Sequence, residues 1–240
     1  MSDIITSSRD GAVATITIDR GAEGNLLTID LLRALAGAFH AAGAGDAKVV
    51  ALRTTGPDFC RGRDPRGGQP SPTALAMRAN LITPILDVYE AIDRTPQPIV
   101  CAVQGAALGF GCALATACDI TVAADNARFQ LPEMEKNLPP TLAISAMMAR
   151  VPRKALTWLV YSMREIDAEL ALRLGIASQV VPAGKLTDET GALIAGLAGR
   201  SREALVGVKD YLRTALTMDP RGAADYAGNL LATVFSSAAR

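Results

Sequence analysis

The chain has 240 residues, with 24 Lys and Arg balanced by 24 Asp and Glu, so its formal net charge is zero. That length fits one large domain, or one domain with a small appendage, and can bury a substantial core without disulfides or metals. Neutrality argues against bulk electrostatic binding to nucleic acid or an anionic membrane, and a 50% hydrophobic composition argues against disorder.

Residues 12–19 (AVATITID) alternate and are rich in β-branched side chains, which predicts a strand. Apolar residues at helical spacing predict a helix over 30–42, with Thr28 or Asp30 as its cap. Residues 48–54 (KVVALRT) predict a second strand, and the Gly-, Pro- and Arg-rich segment 56–72 a mobile loop. Residues 74–95 carry a long helical pattern in which Pro84 is expected to break or kink the helix. A short apolar strand follows at 98–104, then a small-residue turn at 105–111 opening into a helix that runs to 117. A strand is expected at 119–123. Helices are expected at 142–150, 153–162, 167–174, 186–200, 202–217 and 223–236. Strands alternating with helices, followed by a helical last third, indicate an α/β architecture with a helical C-terminal region.

No stretch approaches the roughly 20 apolar residues of a membrane span. The first 20 residues contain Asp3 and no apolar run, so they do not read as a secretory signal. The four cysteines, Cys60, Cys101, Cys112 and Cys118, have apolar flanks and read as reduced, buried thiols of a cytoplasmic protein. They lack paired ligand spacing, and His40 is the single histidine, so no metal site is expected. His40 lies in a helical run far from any nucleophile motif and reads as a helix-surface residue.

Two loops carry the pattern of a backbone-donor site. The first is Phe59-Cys60-Arg61-Gly62-Arg63-Asp64 after a strand. The second is Gly105-Ala106-Ala107-Leu108-Gly109-Phe110-Gly111-Cys112, which also follows a strand and opens into a helix. Such turns leave N–H groups unpaired at the helix start, where the dipole favours negative charge, and suit a developing oxyanion. The spacing of Gly105, Gly109 and Gly111 is not a dinucleotide fingerprint. Taken alone, either loop also fits a plain tight turn where a helix packs on a sheet.

Together with their surroundings, these segments resemble the crotonase superfamily, the enoyl-CoA hydratase/isomerase family. Ile18-Asp19-Arg20 followed by Asn25-Leu26-Leu27 is similar to its N-R-P-x-x-x-N-A-L opening, and residues 59–64 to its F-C-A-G-A-D loop. Residues 98–119, PIVCAVQGAALGFGCALATACD, resemble its P-V-I-A-A-V-N-G-x-A-L-G-G-G-x-E-L-A-x-x-C-D signature. Phe129 to Glu133 resembles F-x-x-P-E, and residues 166–182 resemble I-x-A-x-x-A-x-x-x-G-L-V-x-x-V-V-P. The resemblance runs in the same order over about residues 10–235.

It implies a crotonase-like spiral of repeated ββα units over residues 1–182 and a helical region at 183–240 that serves trimer contacts, as a homotrimer or a dimer of trimers. It implies an acyl-CoA thioester as the substrate, within fatty acid metabolism. No separate cofactor is implied, because coenzyme A is part of the substrate, and neither nucleic acid nor membrane is expected as a partner. The implied oxyanion donors are the N–H groups of Arg63 and Phe110, where the family usually has Ala and Gly. Because the donors belong to the backbone, these replacements leave the hole in place, and Phe110 narrows the pocket. Gly109 and Gly111 flank the second donor and Asp64 follows the first, so all three are candidate substrate-binding positions. The family's hydratases use two glutamates, and here one of those positions is Ala113 while the other is Glu133. A lone carboxylate can take a proton from one carbon and return it to another, so the resemblance implies double-bond isomerisation through Glu133. Burial against Leu131, Pro132 and Met134 is expected to raise its pKa. Hydration, decarboxylation, thioester hydrolysis and non-catalytic acyl-CoA binding are the alternatives.

Glu135 is expected to point away from the Glu133 side if the segment is extended. Asp87, Glu90 and Asp93 share a helix face and read as a solvated acidic surface. Asn137-Leu138-Pro139-Pro140-Thr141 stands where the family often has G-x-x-P-x-x-G, which implies an unusual acyl pocket. The family's basic, aromatic tail would lie past Arg240, so Arg61, Arg63 and Arg66 are expected to take over part of the phosphate binding.

Overall fold

The structure, a computed structural model, describes residues 4–66 and 71–238. Part of the predicted mobile loop, residues 67–70, therefore lies outside the described residues, as do the first three and last two. The chain opens with an antiparallel hairpin of β1 (Ile5–Asp10) and β2 (Val13–Ile18). Next comes α1 (Ile29–Ala44), capped by Thr28, whose hydroxyl accepts the Leu31 N–H at 3.4 Å. Leu32, Leu35, Ala36 and Phe39 recur at three- and four-residue spacing and form its buried stripe.

β3 (Val49–Thr54) lies parallel to β2. The predicted long helix is α2 (Ala74–Met77), a π-helical stretch (Arg78–Ile82) and α3 (Thr83–Arg94), which run on without a break. Pro84 does not interrupt them, because it sits in the first turn of α3. The π-helical stretch immediately ahead already departs from i→i−4 pairing, so the missing N–H disturbs no regular ladder.

β4 (Ile99–Val103), β5 (Ala106–Leu108) and α4 (Phe110–Ala117) follow, then β6 (Ile120–Ala124) and β7 (Arg128–Gln130). A single 3₁₀ turn, Glu133–Lys136, precedes α5 (Thr141–Met147) and α6 (Arg153–Ser162). β8 (Ile166–Asp167), α7 (Ala168–Arg173) and β9 (Gln179–Val181) complete the strands. The chain ends in α8 (Leu186–Ala198), α9 (Arg202–Ala215) and α10 (Pro220–Ala238).

The strands form two sheets, one in the order β1-β2-β3-β4-β6-β9 and one in the order β5-β7-β8. From β3 to β7 the chain alternates between the two sheets. β4 is followed by β5 and a helix, and β6 by β7 and then helices. β3 does the same through Cys60, which bridges Ala107 at the edge of the small sheet. This is the ββα repeat expected from the sequence.

The large sheet is covered on both faces, which explains why its central strands read as unbroken apolar runs. Val50 and Leu52 of β3 join the main core with Phe39, Val88 and Leu114. Val49 and Ala51 face the other way and pack with Val100, Val122, Leu186 and Ile194 beneath α8. α9 is tied to this body by Lys209, whose ammonium donates to Asp119 Oδ2 at 2.7 Å and to the carbonyls of Ile92 and Gln97 at 3.1 and 3.3 Å. The four cysteines are free and buried, and His40 is exposed. Among the described residues, no helix is long and apolar enough to cross a membrane and no His/Cys/Asp/Glu cluster could hold a metal ion.

Candidate active site

The two donor loops are clasped together by backbone. The Cys60 N–H donates to the Ala106 carbonyl at 3.0 Å, and the Leu108 N–H donates to the Cys60 carbonyl at 2.9 Å. The first helical turn of α4 rests on the same carbonyl: a Cβ on Gly111 would overlap Cys60 O, so only glycine permits this approach.

The N–H groups of Arg63 and Phe110 are among those of the two loops without backbone partners among the described residues. Around Arg63, the Leu27 N–H donates to the Gly62 carbonyl at 3.1 Å and the Asp64 N–H donates to the Leu27 carbonyl at 2.8 Å. In such a parallel bridge the middle residue presents its own N–H to the opposite side, so that of Arg63 points away from Leu27. In the second loop, the Gly109 N–H is taken by the Gln130 carbonyl at 2.8 Å. Phe110 then opens α4, where the N–H is one of the unpaired helix-start donors. Gly109, with φ +53° and ψ −114°, makes the reversal that aims it.

Glu133 meets this second loop. It begins the 3₁₀ turn after Pro132, and its carbonyl accepts the Leu138 N–H at 3.2 Å. Its carboxylate lies over the Gly109 backbone: a Cβ built on Gly109 would stand 2.8 Å from Glu133 Oε1. The other oxygen, Oε2, is buried with no hydrogen-bond partner among the described residues. Burial raises the carboxyl above its ordinary value, partly offset by a backbone N–H. Ala113, one helical turn into α4, is fully buried and supplies only a methyl group.

Sequence reasoning missed Tyr89. It projects from α3 and stacks on Phe110, with centroids 5.6 Å apart and ring planes at 20°. Burial and the charge of Glu133 hold its phenol well above the ordinary value, so it stays neutral. Its position in the apolar stripe of α3 identifies it as inward-facing and carries no sign of chemistry, so no sequence pattern points to it.

Asp64 is 1% exposed and serves the loop itself. Its carboxylate accepts from Arg20 Nη1 at 3.0 Å, from Arg66 Nη2 at 2.7 Å and from the Arg66 backbone N–H at 3.0 Å. Those partners hold it well below the usual carboxylate range, the Arg66 guanidinium contributing most. Arg20 also donates to the Leu26 carbonyl at 2.6 Å and to Glu23 at 2.7 Å, and Arg66 reaches Glu23 as well. Asn25, fully buried with φ +51°, straps the same region by donating to the Thr55 and Asp58 carbonyls, each at 2.8 Å.

Of the three loop arginines, Arg66 is thus engaged on carboxylates. Arg61 is exposed and only loosely paired with Asp58 at 3.7 Å, and Arg63 donates to the Asp64 carbonyl at 3.3 Å. Glu135 is exposed, turned away by the 3₁₀ geometry rather than by an extended strand, and Gln130 donates to it at 3.4 Å. On α3, Glu90 and Asp93 are exposed and Asp87 is half-buried.

Known proteins resemble this chain in sequence and fold. The sequence profile of the enoyl-CoA hydratase/isomerase family matches residues 8–240. A probable enoyl-CoA hydratase of Mycobacterium tuberculosis is 32% identical over 178 residues, spanning 74% of this chain and 69% of its own length. The 2,3-dehydroadipyl-CoA hydratase of Escherichia coli is 33% identical over 216 residues, spanning 89% of this chain and 82% of its own. The crystal structure of an enoyl-CoA hydratase from Mycobacterium smegmatis superimposes with a TM-score of 0.90 at 28% identity, covering 96% of this chain and 90% of that one. Human enoyl coenzyme A hydratase domain-containing protein 3 superimposes with a TM-score of 0.87 at 26% identity, covering 96% and 91%. The match along nearly the whole sequence, on a shared ββα spiral with a helical C-terminal region, shows that the chain is a crotonase-superfamily enzyme of the enoyl-CoA hydratase/isomerase family.

Proposed function

We propose that this enzyme moves the double bond of an enoyl-CoA thioester, with Glu133 as the single carboxylate that transfers the proton. Glu133 removes a proton from the carbon beside the thioester carbonyl of a 3-enoyl-CoA. The electron pair delocalises into a dienolate whose oxygen accepts from the Arg63 and Phe110 N–H groups. Glu133 then returns the proton to the far carbon, giving the 2-enoyl-CoA and regenerating its carboxylate. The observation that carries this reading is the Glu133 carboxylate, whose Oε1 lies against Gly109 and whose Oε2 is buried and unpartnered among the described residues, while Ala113 supplies no second carboxylate. Hydration is the second reading, favoured by the names of the similar proteins, which are hydratases.

The deciding experiment incubates the enzyme with short 2- and 3-enoyl-CoA isomers in deuterated water and follows product mass. Isomerisation incorporates deuterium without added water, and hydration adds water. Absence of both in the wild type, or unchanged turnover in Glu133→Gln, would overturn the proton-shuttle reading.

Arg61 and Arg63 support binding of the CoA phosphates, since Arg61 is exposed and only loosely paired with Asp58 at 3.7 Å and Arg63 donates to a backbone carbonyl. Gly109 and Gly111 line the approach of the thioester, and Asp64 acts on it through the loop it braces. A homotrimer, or a dimer of trimers, built on α9 and α10 is supported by the exposed Val208, Leu212, Leu231 and Phe235. A cytoplasmic setting is supported by the four unpaired cysteines.

A further inference from the structure

Just ahead of the Cys60 clasp, the pairing of the two donor segments slips. The Phe59 N–H donates to the Gln104 carbonyl at 2.8 Å, and the next residue, Cys60, donates to the Ala106 carbonyl at 3.0 Å. One step along the first segment thus spans two along the second. Gly105 is the extra residue, a bulge at φ +55°. A Cβ there would overlap the Pro57 carbonyl and stand 2.7 Å from Asp58 Oδ1, so glycine alone fits. Continued as a regular parallel ladder from the Cys60–Ala107 bridge, the Ala106 N–H would donate to the Asp58 carbonyl. That carbonyl is turned instead to Asn25, accepting from its Nδ2 at 2.8 Å. The Asp58 side chain supplies the missing rung, and its Oδ1 accepts the Ala106 N–H at 2.9 Å. Gln104 fastens the same junction, its amide donating to Thr54 Oγ1 at 3.0 Å and to the Gly56 carbonyl at 3.2 Å. Ala106 opens β5, the strand that leads into Gly109 and Phe110. Asp58 therefore stands at the entry of the first donor loop and holds the entry of the second.

We infer that Asp58 is a positioning residue for the oxyanion hole: the bond from the Ala106 N–H to its carboxylate sets the second donor loop against the first. The inference rests on the pair of N–H donors proposed above. Two donors on separate loops have to converge on one oxygen, and a misplacement of about 1 Å costs about 100-fold in rate. The Cys60 bonds hold the loops together beyond the bulge. At the bulge itself the backbone rung is absent, and the carboxylate is what keeps the second segment from pivoting about those bonds. The property required is an acceptor oxygen at that reach rather than a charge. The carboxylate's contact with Arg61 is long, at 3.7 Å, and that arginine is largely exposed, so the ion pair adds little. An amide oxygen in the same place would serve, and a methyl group would not.

The test compares wild type, Asp58→Ala and Asp58→Asn by two readouts. One is the carbonyl stretching frequency of bound butyryl-CoA, isotope-labelled at the thioester carbonyl, by difference infrared spectroscopy. The other is kcat and KM for whichever enoyl-CoA reaction the wild type performs. Donors converging on the carbonyl oxygen lower its frequency below the value in water, so the wild type should show that shift. Asp58→Ala is expected to lose most of the shift and to lower kcat by about 10- to 100-fold, with butyryl-CoA affinity within about threefold of wild type. Asp58→Asn should restore the frequency and bring kcat to within about threefold of wild type. If Asp58→Ala does not fold, Asp58→Ser, whose oxygen is one bond short of the Ala106 N–H, carries the same expectation. A wild type without the shift would overturn the inference. So would an Ala or Ser variant that keeps the shift, an Asn variant that behaves like Ala, or a loss confined to affinity and Tm. The saturated thioester binds without proton transfer. A wild type that shows the shift and turns over neither enoyl isomer would therefore refute the proton-shuttle reading, and the frequencies of the variants would still decide the role of Asp58.

Discussion

Glu133 is held in an environment that suits its chemistry and opposes its charge. Its folded-state pKa is raised by burial. The folded state therefore binds the proton more tightly than the unfolded chain, and stability declines as pH rises from the unfolded pKa through the folded one. Above that window the buried charge is a standing cost. Glu133→Gln is expected to raise Tm at neutral pH while lowering turnover by about 10²- to 10⁴-fold. Calorimetry paired with a rate assay reads both, and a lower Tm would contradict the burial argument. For the same reason, the acid limb of the wild-type rate profile should lie above the ordinary glutamate value. Gly109 is the neighbouring test. Gly109→Ala forces a side chain onto a backbone at φ +53° and drives it to 2.8 Å from Glu133 Oε1. A misplaced carboxylate should reduce kcat by about 100-fold, with little change in acyl-CoA affinity.

At the level of elements, the first donor loop owes its position to a side-chain network more than to sheet pairing. Arg20 and Arg66 converge on the fully buried carboxylate of Asp64, adjacent to the Arg63 donor, and Glu23 bridges the same two guanidinium groups. Arg20→Ala leaves that carboxylate with one guanidinium, an exposed one, and should destabilise the protein by about 3 kcal/mol. Turnover should fall further than binding, because the donor moves. The Asp64 contribution is present at neutral pH, above its unfolded pKa, and is lost on acidification toward its depressed folded value. Acid should therefore loosen this loop, an effect that hydrogen exchange at Arg63 and Asp64 would report.

Much of this was legible beforehand. The strands at 13–18, 49–54, 99–103 and 120–124 match apolar runs, and the helix at 153–162 matches its periodic pattern. The short strands of the small sheet did not announce themselves. β5 and β7 have three residues each and β8 has two, too few for any periodicity to register, and their pairing partners are distant in sequence. β1 was missed because Thr6, Ser7, Ser8 and Arg9 are exposed and polar, although Asp10-Gly11 at its end is a hairpin signal. Within the site, the motif residues could be read from the sequence. Tyr89 and the Asp64 network could not, since stacking and ion pairing depend on how α3 and the first loop pack.

Across the whole molecule, the C-terminal helices are anchored by Lys209 and by Arg202, which donates to the Gly45 and Ala47 carbonyls at 3.3 and 3.4 Å, and they present an exposed apolar face. Lys209 is 10% exposed in its side chain and has two carbonyls and Asp119 as partners. Lys209→Met removes those bonds and leaves Asp119 with the Ile99 N–H at 2.8 Å. A loss of about 3 kcal/mol, roughly 10 °C in Tm for a chain of this length, is expected. The outer surface of the same helices carries Leu212 at 62% and Phe235 at 68% exposure. If the proposed trimer buries them, Leu212→Asp combined with Phe235→Asp should yield monomers in analytical ultracentrifugation, and an unchanged sedimentation coefficient would place the interface elsewhere.

The proposed oxyanion donors at Arg63 and Phe110 are main-chain groups on two different loops, joined by the Cys60 clasp. A survey that replaces one side chain at a time would pass over them, recording only the loss of a guanidinium or a ring. The atoms that matter are exchanged only by altering the peptide bond itself. An amide-to-ester replacement at either residue deletes the donor and keeps the side chain, and it should slow turnover by about 10²- to 10³-fold. Natural variation at both positions can therefore be wide while the chemistry stays the same, since the fold carries the electrophilic part of the site and the encoded side chains are free to tune its shape.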